Sequence, residues 1–369
     1  VGGVTREGQA QFRVNDAFFR STTVVARDLG ILAALYYRQT QGLLQVLDGM
    51  AGCGVRSLRY ALEAGADWVW ANDGNPDLQP TLVQNLAATL RAEQFQVTSD
   101  SLRQVLNTCM GQHQRFDLID LDGFGSPADD LGMALACLKL GGYLYLTSTD
   151  GQGLSGHNST GALRRFGVYT RVHPAPHEQG LRVLLGLVGQ QAQMQGLAIR
   201  PLFSWCCGQT YRVMVRLETS GVWDMATSGF LGYCHACGQF ASIPWPELGR
   251  SCCRNHDSPH PWTLSGPLWL GPLHNPKLLM AMDPLAIERG WTARSALIQR
   301  MLAEHDLPPY YYPLGEIGRR GKLDIPKRDR LIAALQAQGY QACIASMQAQ
   351  AIKSNAPIQE IVAIAKALF

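Results

Sequence analysis

From Gln41 to Leu217 the chain alternates short apolar runs with longer segments of helical periodicity, and it breaks that rhythm once, at the end. Short apolar runs bounded by Gly, Asn or Asp read as buried strands, and apolar residues recurring three and four positions apart read as helix faces. The expected strands are Leu44 to Asp48, Trp68 to Asn72, Phe95 to Thr98, Phe116 to Leu121, Gly142 to Ser148, Ile199 to Trp205 and Tyr211 to Leu217. Helices fit between them at Val55 to Glu63, Asp77 to Arg91, Leu102 to Met110, Pro127 to Leu138 and His177 to Gln195. Such alternation builds a doubly wound α/β sheet, parallel and covered by helices on both faces. The last two strands lie too close in sequence for a crossover helix, so they form an antiparallel hairpin.

After Leu217 the texture changes to Cys, Trp and Pro in short segments, with helical periodicity again at Asp283 to Glu304 and Pro326 to Ala337. We therefore expect two units, 1–217 and 218–369, with the boundary near Glu218 to Asp224 and a smaller α+β C-terminal domain. A chain of 369 residues is long enough for two cores. No apolar stretch is long enough to span a bilayer and no convincing signal peptide is present, so a cytoplasmic location without membrane contact is expected. A net charge of +3 permits a nucleic-acid partner without demanding one, and no obligate protein partner is implied.

The ten cysteines are clustered in a way that argues for metal rather than disulfides. Cys234-His235-Ala236-Cys237 and Cys253-Arg254-Asn255-His256 are two pairs with ligand spacing, and two such knuckles make a tetrahedral zinc site. Four protein ligands leave no open position, so the zinc would be structural. Cys252 competes with Cys253 for the third place. Cys109, Cys137 and Cys343 read as small core residues.

Acidic residues end successive strands, at the edge of an open α/β sheet where ligands sit. Asp48 precedes Gly49-Met50-Ala51-Gly52-Cys53-Gly54, where it would repel a pyrophosphate but welcome an ammonium. Asp73 follows the next strand, where a carboxylate can take both hydroxyls of a ribose. The pair fits S-adenosylmethionine better than NAD. Asp122-Gly123-Phe124-Gly125 follows Phe116 to Leu121, and an acid with a nearby aromatic there suits a flat substrate bearing an exocyclic amine. The alternative is a glycine-rich turn whose Asp caps the next helix.

Taken together, Arg27-Asp28-Leu29, the Gly49 to Arg59 loop, Ala71-Asn72-Asp73, Asp120-Leu121-Asp122-Gly123-Phe124-Gly125-Ser126-Pro127, Thr147-Ser148-Thr149-Asp150, His177-Glu178 with Leu181-Arg182, and Gly266 to Leu273 resemble the tRNA (guanine-26 N2)-dimethyltransferases. The resemblance runs in order along nearly the whole chain. It implies the methyltransferase-type seven-stranded sheet and S-adenosylmethionine-dependent transfer of one or two methyl groups to the exocyclic N2 of a guanine in tRNA. By the same resemblance Arg27, Arg56, Asp73, Asp100 and Ser101 line the cofactor: Asp73 at the ribose, Asp100 at the adenine amine, the Ser101 backbone amide at the ring. Arg27 and Arg56 would offer fork-shaped donors to a carboxylate, against the commoner fate of a surface salt bridge. Asp122 would accept the proton of the target amine and Phe124 would stack on the base, the alternative for Phe124 being a core aromatic.

Two positions and one segment depart from the family pattern. Gly123 stands where the family usually has Pro, His256 stands where it generally has Cys, and Ile344 to Pro357 follows its C-terminal pattern only loosely. Basic groups for phosphate contact are Arg164-Arg165, Arg319-Arg320-Gly321-Lys322 and Lys327-Arg328-Asp329-Arg330, each of which also reads as a solvated helix face. Two other functions remain open: an amino-methyltransferase acting on adenine or cytosine of RNA or DNA, and a zinc-containing RNA-binding protein without catalysis.

Overall fold

The computed structural model describes residues 3–219 and 227–369, so residues 220–224 of the expected domain boundary lie outside the described residues. An N-terminal hairpin, β1 (Val4–Glu7) and β2 (Ala10–Arg13), precedes a long helix, α1 (Val24–Gln41). The alternating unit follows as β3 (Gln45–Asp48), α2 (Val55–Glu63), β4 (Trp68–Asn72), α3 (Gln79–Ala87), β5 (Phe95–Thr98), α4 (Leu102–Gly111), β6 (Phe116–Leu121), α5 (Ala128–Ala136) and β7 (Leu138–Ser148). Two short helices, α6 (Gly151–Leu154) and α7 (Ser159–Phe166), then lead to α8 (Pro176–Met194) and the hairpin β8 (Leu197–Cys207) and β9 (Thr210–Thr219).

These strands form one seven-stranded sheet in the order β5-β4-β3-β6-β7-β9-β8. The five strands from β5 to β7 are parallel, and β9 pairs antiparallel with both β7 and β8. The expected terminal hairpin is thus present, with β9 inserted beside β7 so that β8 becomes the edge. Strand β6 is buried at every position, as a central parallel strand covered on both faces must be.

One face is packed by α4, α5 and α8 through residues such as Leu106, Leu131, Leu135, Leu184 and Val188. The other face reaches into the second half of the chain. Leu29, Leu32 and Ala33 of α1 share a core with Leu278, Leu279 and Met282 of α9 (Pro276–Glu288) and with Leu297, Ile298 and Met301 of α10 (Thr292–Ala303), over Phe203 and Met214 of the sheet. The sequence reads Asp283 to Glu304 as one helical segment; the chain instead turns at Gly290, which takes φ of +71°, a conformation open to glycine.

The rest of the C-terminal half is antiparallel: β10 (Ser228–Tyr233), β11 (Phe240–Pro244) and β12 (Thr263–Trp269) make one small sheet in the order β11-β10-β12. A second small sheet has the order β13-β15-β14, from β13 (Tyr312–Pro313), β14 (Ala342–Ile344) and β15 (Ala351–Ser354), and is flanked by α11 (Leu314–Gly321), α12 (Arg328–Ala337) and α13 (Ile358–Lys366). Buried charges tie this half to the sheet: Lys353 Nζ donates to Glu178 of α8 at 2.7 Å, and Arg182 donates to the carbonyls of Trp269 and Gly271 at 2.9 and 2.8 Å. No helix among the described residues is long and apolar enough to cross a membrane.

Candidate active site and metal centre

Turns after β3, β4 and β6 meet at the carboxyl edge of the sheet around a cavity of about 580 Å³. Its lining includes Phe18, Arg27, Met50, Gly52, Arg56, Asp73, Asp122, Phe124, Thr147 and Arg212. The turn after β3 is shaped by Gly52 and Gly54, both with positive φ; a Cβ on Gly54 would press to 2.7 Å from Leu82 and Leu86. Asp73 fixes that turn by accepting the Gly52 amide at 2.8 Å and the Asn75 amide at 3.0 Å, and it borders the cavity.

Asp122 lies one residue past β6 and does not cap the next helix, which begins after Pro127 and whose first amide donates to the Ser126 hydroxyl at 3.3 Å. Its Oδ1 accepts from the Thr147 hydroxyl at 2.8 Å, and its Oδ2 accepts from Arg56 Nη1 at 2.6 Å, with Arg212 Nη1 at 3.6 Å. Burial works to raise the Asp122 pKa, but the guanidiniums of Arg212 and Arg56 and the Thr147 hydroxyl prevail and hold it at about 2. The carboxylate is therefore an anion at any physiological pH. The neighbouring residues Ser148 and Thr149 pin the loop itself: the Ser148 hydroxyl donates to the Gly125 carbonyl at 2.7 Å, and the Gly125 amide donates to the Thr149 hydroxyl at 2.7 Å.

Phe124 is not a core aromatic. It is 74% exposed and meets Phe18 edge-on, with ring centroids 5.1 Å apart. The Arg20 guanidinium lies 4.9 Å from the centre of the Phe18 ring. Phe18 falls in a segment without periodicity, which is why sequence patterns pass over it. Arg212 did leave a signal: a charged side chain inside the apolar run Tyr211 to Leu217 requires a buried partner.

Asp48, expected to greet an ammonium, is fully buried and does not line the cavity. Its Oδ1 accepts from Arg56 Nε and Nη2 at 3.2 and 3.0 Å, and its Oδ2 accepts from the Ser57 hydroxyl at 2.8 Å. Burial, with Asp120 adding to it and Arg56 opposing, pushes its carboxyl up to about 6. In this structure Asp48 anchors Arg56. Neither arginine proposed for the cofactor is a surface salt bridge. Arg56 is buried between Asp48, Asp122 and the Met50 carbonyl, and Arg27 gives Nε and Nη2 to Glu7 of β1 at 2.7 and 2.6 Å and Nη1 to Thr23 at 2.8 Å. Asp100 and Ser101 lie past β5, outside the residues that line the cavity. Asn72 holds the Asp100 backbone at both ends, at 3.0 and 3.2 Å, while the Ser101 amide is taken by Gln104 Oε1 at 3.1 Å in the cap of α4.

At the far end of the chain the ligand atoms of Cys234, Cys237, Cys253 and His256 all lie within 4.8 Å of one another. Cys237 Sγ is 3.5 Å from Cys253 Sγ, and Cys234 Sγ is 3.2 Å from His256 Nε2. Four ligands about 2.0–2.3 Å from a tetrahedral ion stand roughly 3.3–3.8 Å from each other, so these two pairs are spaced close to those of a metal centre. Cys253 rather than Cys252 supplies the third atom. Arg320 braces the first knuckle by donating to the carbonyls of Ala236 and His235 at 3.0 and 3.2 Å and also binds Glu316, which takes it from the free basic surface, whereas Arg319 pairs with Glu316 but stays exposed.

Residues 5–366 match the model of the N2,N2-dimethylguanosine tRNA methyltransferase family. The chain belongs to this family. It is 29% identical over 363 residues to a tRNA (guanine(26)-N(2))-dimethyltransferase of Aeropyrum pernix, covering 94% of this chain and 88% of that protein. A family member from Metallosphaera sedula is 30% identical over 341 residues, covering 90% and 85%. Among solved structures, Trm1 from Pyrococcus horikoshii in complex with S-adenosyl-L-methionine superimposes with a TM-score of 0.84 at 26% identity, covering 98% of this chain and 99% of that one.

Proposed function

We propose that this chain methylates the exocyclic N2 of a guanine in tRNA, at position 26 and with S-adenosylmethionine as donor, and that it does so in the cytoplasm. The observation that carries the reading is the Asp122 carboxylate, ionised and lining the same cavity as the exposed ring of Phe124. The cofactor would supply an electrophilic methyl group for in-line displacement. Asp73, already set by two backbone amides, is suited to the ribose hydroxyls, and Arg27 is the cavity-lining cation nearest the N-terminal hairpin. Residues 1–217 would hold donor and acceptor, and residues 218–369 would add contacts to tRNA.

Guanine N2 is a poor nucleophile because its lone pair is delocalised into the ring. Accepting a hydrogen bond from that amine, Asp122 localises the pair and fixes the nitrogen's direction, the larger part of what an enzyme must do for such a displacement. A carboxylate held near 2 is a weak base, and the proton passes to it only as the amine becomes cationic and therefore acidic. Phe124, with Phe18 at its edge, offers an apolar face to a base that has left its stack. The donor set of three thiols and one imidazole fits zinc, bound in a structural role with no position open to substrate. Mass spectrometry of nucleosides from tRNA incubated with the protein and S-adenosylmethionine tests the reading: N2-methylguanosine or its dimethyl form is expected. A methylated adenine or cytosine, or no product, contradicts it.

A further inference from the structure

We propose that Arg212 is a positioning residue for this methyl transfer, holding Asp122 ionised and aimed from the neighbouring antiparallel strand; the proposal rests on the functional reading above. Strand β9 pairs with β7 in a register that sets Arg212 directly opposite Thr147. Side chains of directly opposed residues share one face of a sheet. The two residues thus reach Asp122 together, Thr147 at Oδ1 and Arg212 at Oδ2.

The guanidinium is fixed in its own right. It forms a buried ion pair with Asp120, and its carbon lies 3.6 Å from the centre of the Tyr145 ring. Tyr145 donates its hydroxyl to the Ala26 carbonyl at 2.8 Å, and Tyr60 donates to the second oxygen of Asp120 at 2.7 Å. Gly30 of α1 makes room for both rings, since a Cβ there would fall 2.9 Å from Tyr145 and 3.1 Å from the Tyr60 hydroxyl. Arg212 Nε has no hydrogen-bond partner, so what the group contributes here is charge and stacking more than a saturated set of bonds.

The charges facing Asp122 are Arg56 from α2, Arg212 from β9 and, farther off, Arg27 from α1, with Asp48 and Asp120 as like charges and Tyr60 and Tyr145 as neutral neighbours. Removing Arg212 leaves three carboxylates around one close guanidinium. Arg56 also touches the Met50 carbonyl in the glycine-rich turn after β3, whereas Arg212 contacts Asp120, Asp122 and Tyr145 and nothing of that turn. Loss of Arg212 is therefore expected in turnover and its pH dependence, with cofactor affinity spared.

The test is single-turnover methylation of tRNA by the whole protein across roughly pH 5 to 9, with cofactor affinity measured in parallel. Arg212→Met is expected to slow the step about tenfold or more by misplacing the carboxylate, with the deficit widest at the acid end and the cofactor Kd within about twofold. Arg212→Lys, which keeps the charge, is expected to recover part of the rate. In an Asp122→Asn background Arg212→Met should cost less than about threefold further, because it acts through that carboxylate. A deficit equal at all pH values, or one that adds fully to Asp122→Asn, overturns the proposal. Should Arg212→Met fail to fold, Arg212→Gln carries the same test. An inactive unmodified protein would instead overturn the methyl-transfer reading on which the proposal stands.

Discussion

Arg56 Nη1 lies 2.6 Å from Asp122 Oδ2, and the same guanidinium grips Asp48 and the Met50 carbonyl, so one side chain joins the turn after β3 to the loop after β6. Because Asp48 is fully buried, Arg56→Met leaves a carboxylate there without its cation. Breaking a buried pair in this way costs about 3–5 kcal/mol. Denaturant unfolding of the variant should show a loss of that order; a loss below about 1 kcal/mol would mean that Asp48 is not held as described.

The pH dependence of stability should carry the mark of His173. Burial, with the Gln179 bond opposing, lowers this imidazole to about 4, so the folded state keeps it neutral. The unfolded chain takes up the proton first, hence stability is complete above the ordinary histidine value of about 6.5 and is lost as pH falls toward 4. Asp122 and Glu304, both held at about 2, lose their contribution only below the usual carboxylate range. Asp48, whose folded carboxyl is pushed up to about 6, takes its proton before the unfolded chain does and works the other way over the same interval. The test is therefore the difference between proteins: in urea melts His173→Gln should remove a loss of midpoint between about pH 6.5 and 4 and so change the slope. An unchanged slope would assign it to other groups.

The cofactor site can be probed at Asp73. Asp73→Ala should weaken S-adenosylmethionine binding by about 1.5–3 kcal/mol, the range for hydrogen bonds to a charged group. It also frees the Gly52 and Asn75 amides, so Asp73→Asn, which can still accept one of them, should lose less. Calorimetry giving equal affinities for all three proteins would place the ribose elsewhere.

For the metal centre, Cys237→Ser should abolish about one equivalent of bound zinc and open the β10 to β12 region before the large sheet. Metal analysis and hydrogen exchange together check this. Full zinc content in the variant would remove Cys237 from the ligand set.

Much of the architecture was legible because strong periodicity and strand-end acids are local signals. All seven strands of the sheet and the antiparallel pairing of its last two follow from runs such as Phe116 to Leu121 and from the short connection before Tyr211. The metal knuckles were legible for the same reason, since both pairs are short in sequence. What stayed hidden depends on contacts between distant residues. That α9 and α10 complete the face covered by α1 follows from burial of Leu278 and Ile298 against Leu29 and Leu32, which no local pattern reports. The enclosure of Asp48 by Arg56 and Ser57 and the pairing of Phe18 with Phe124 are of the same kind, as is the capture of Arg320 by the first knuckle.

Gly123 lies in the loop that carries Asp122 and Phe124, where the resemblance read from the sequence expects Pro. A Cβ at this position would sit 3.0 Å from Met50 Cε, the free end of a flexible side chain. Gly123→Pro should therefore fold and keep or raise the rate, since stiffening contributes up to about 1 kcal/mol. A rate fallen tenfold would show that the loop has to move.

The central claim is that the Asp122 carboxylate engages the target amine. Asp122→Asn keeps the size and the Thr147 neighbour but neither carries the charge nor takes the proton. Single-turnover methylation of tRNA, with S-adenosylmethionine affinity measured on the same sample, tests it most directly. The account predicts a rate about 10²-fold lower or worse with cofactor binding preserved; a near-normal rate in Asp122→Asn would contradict it.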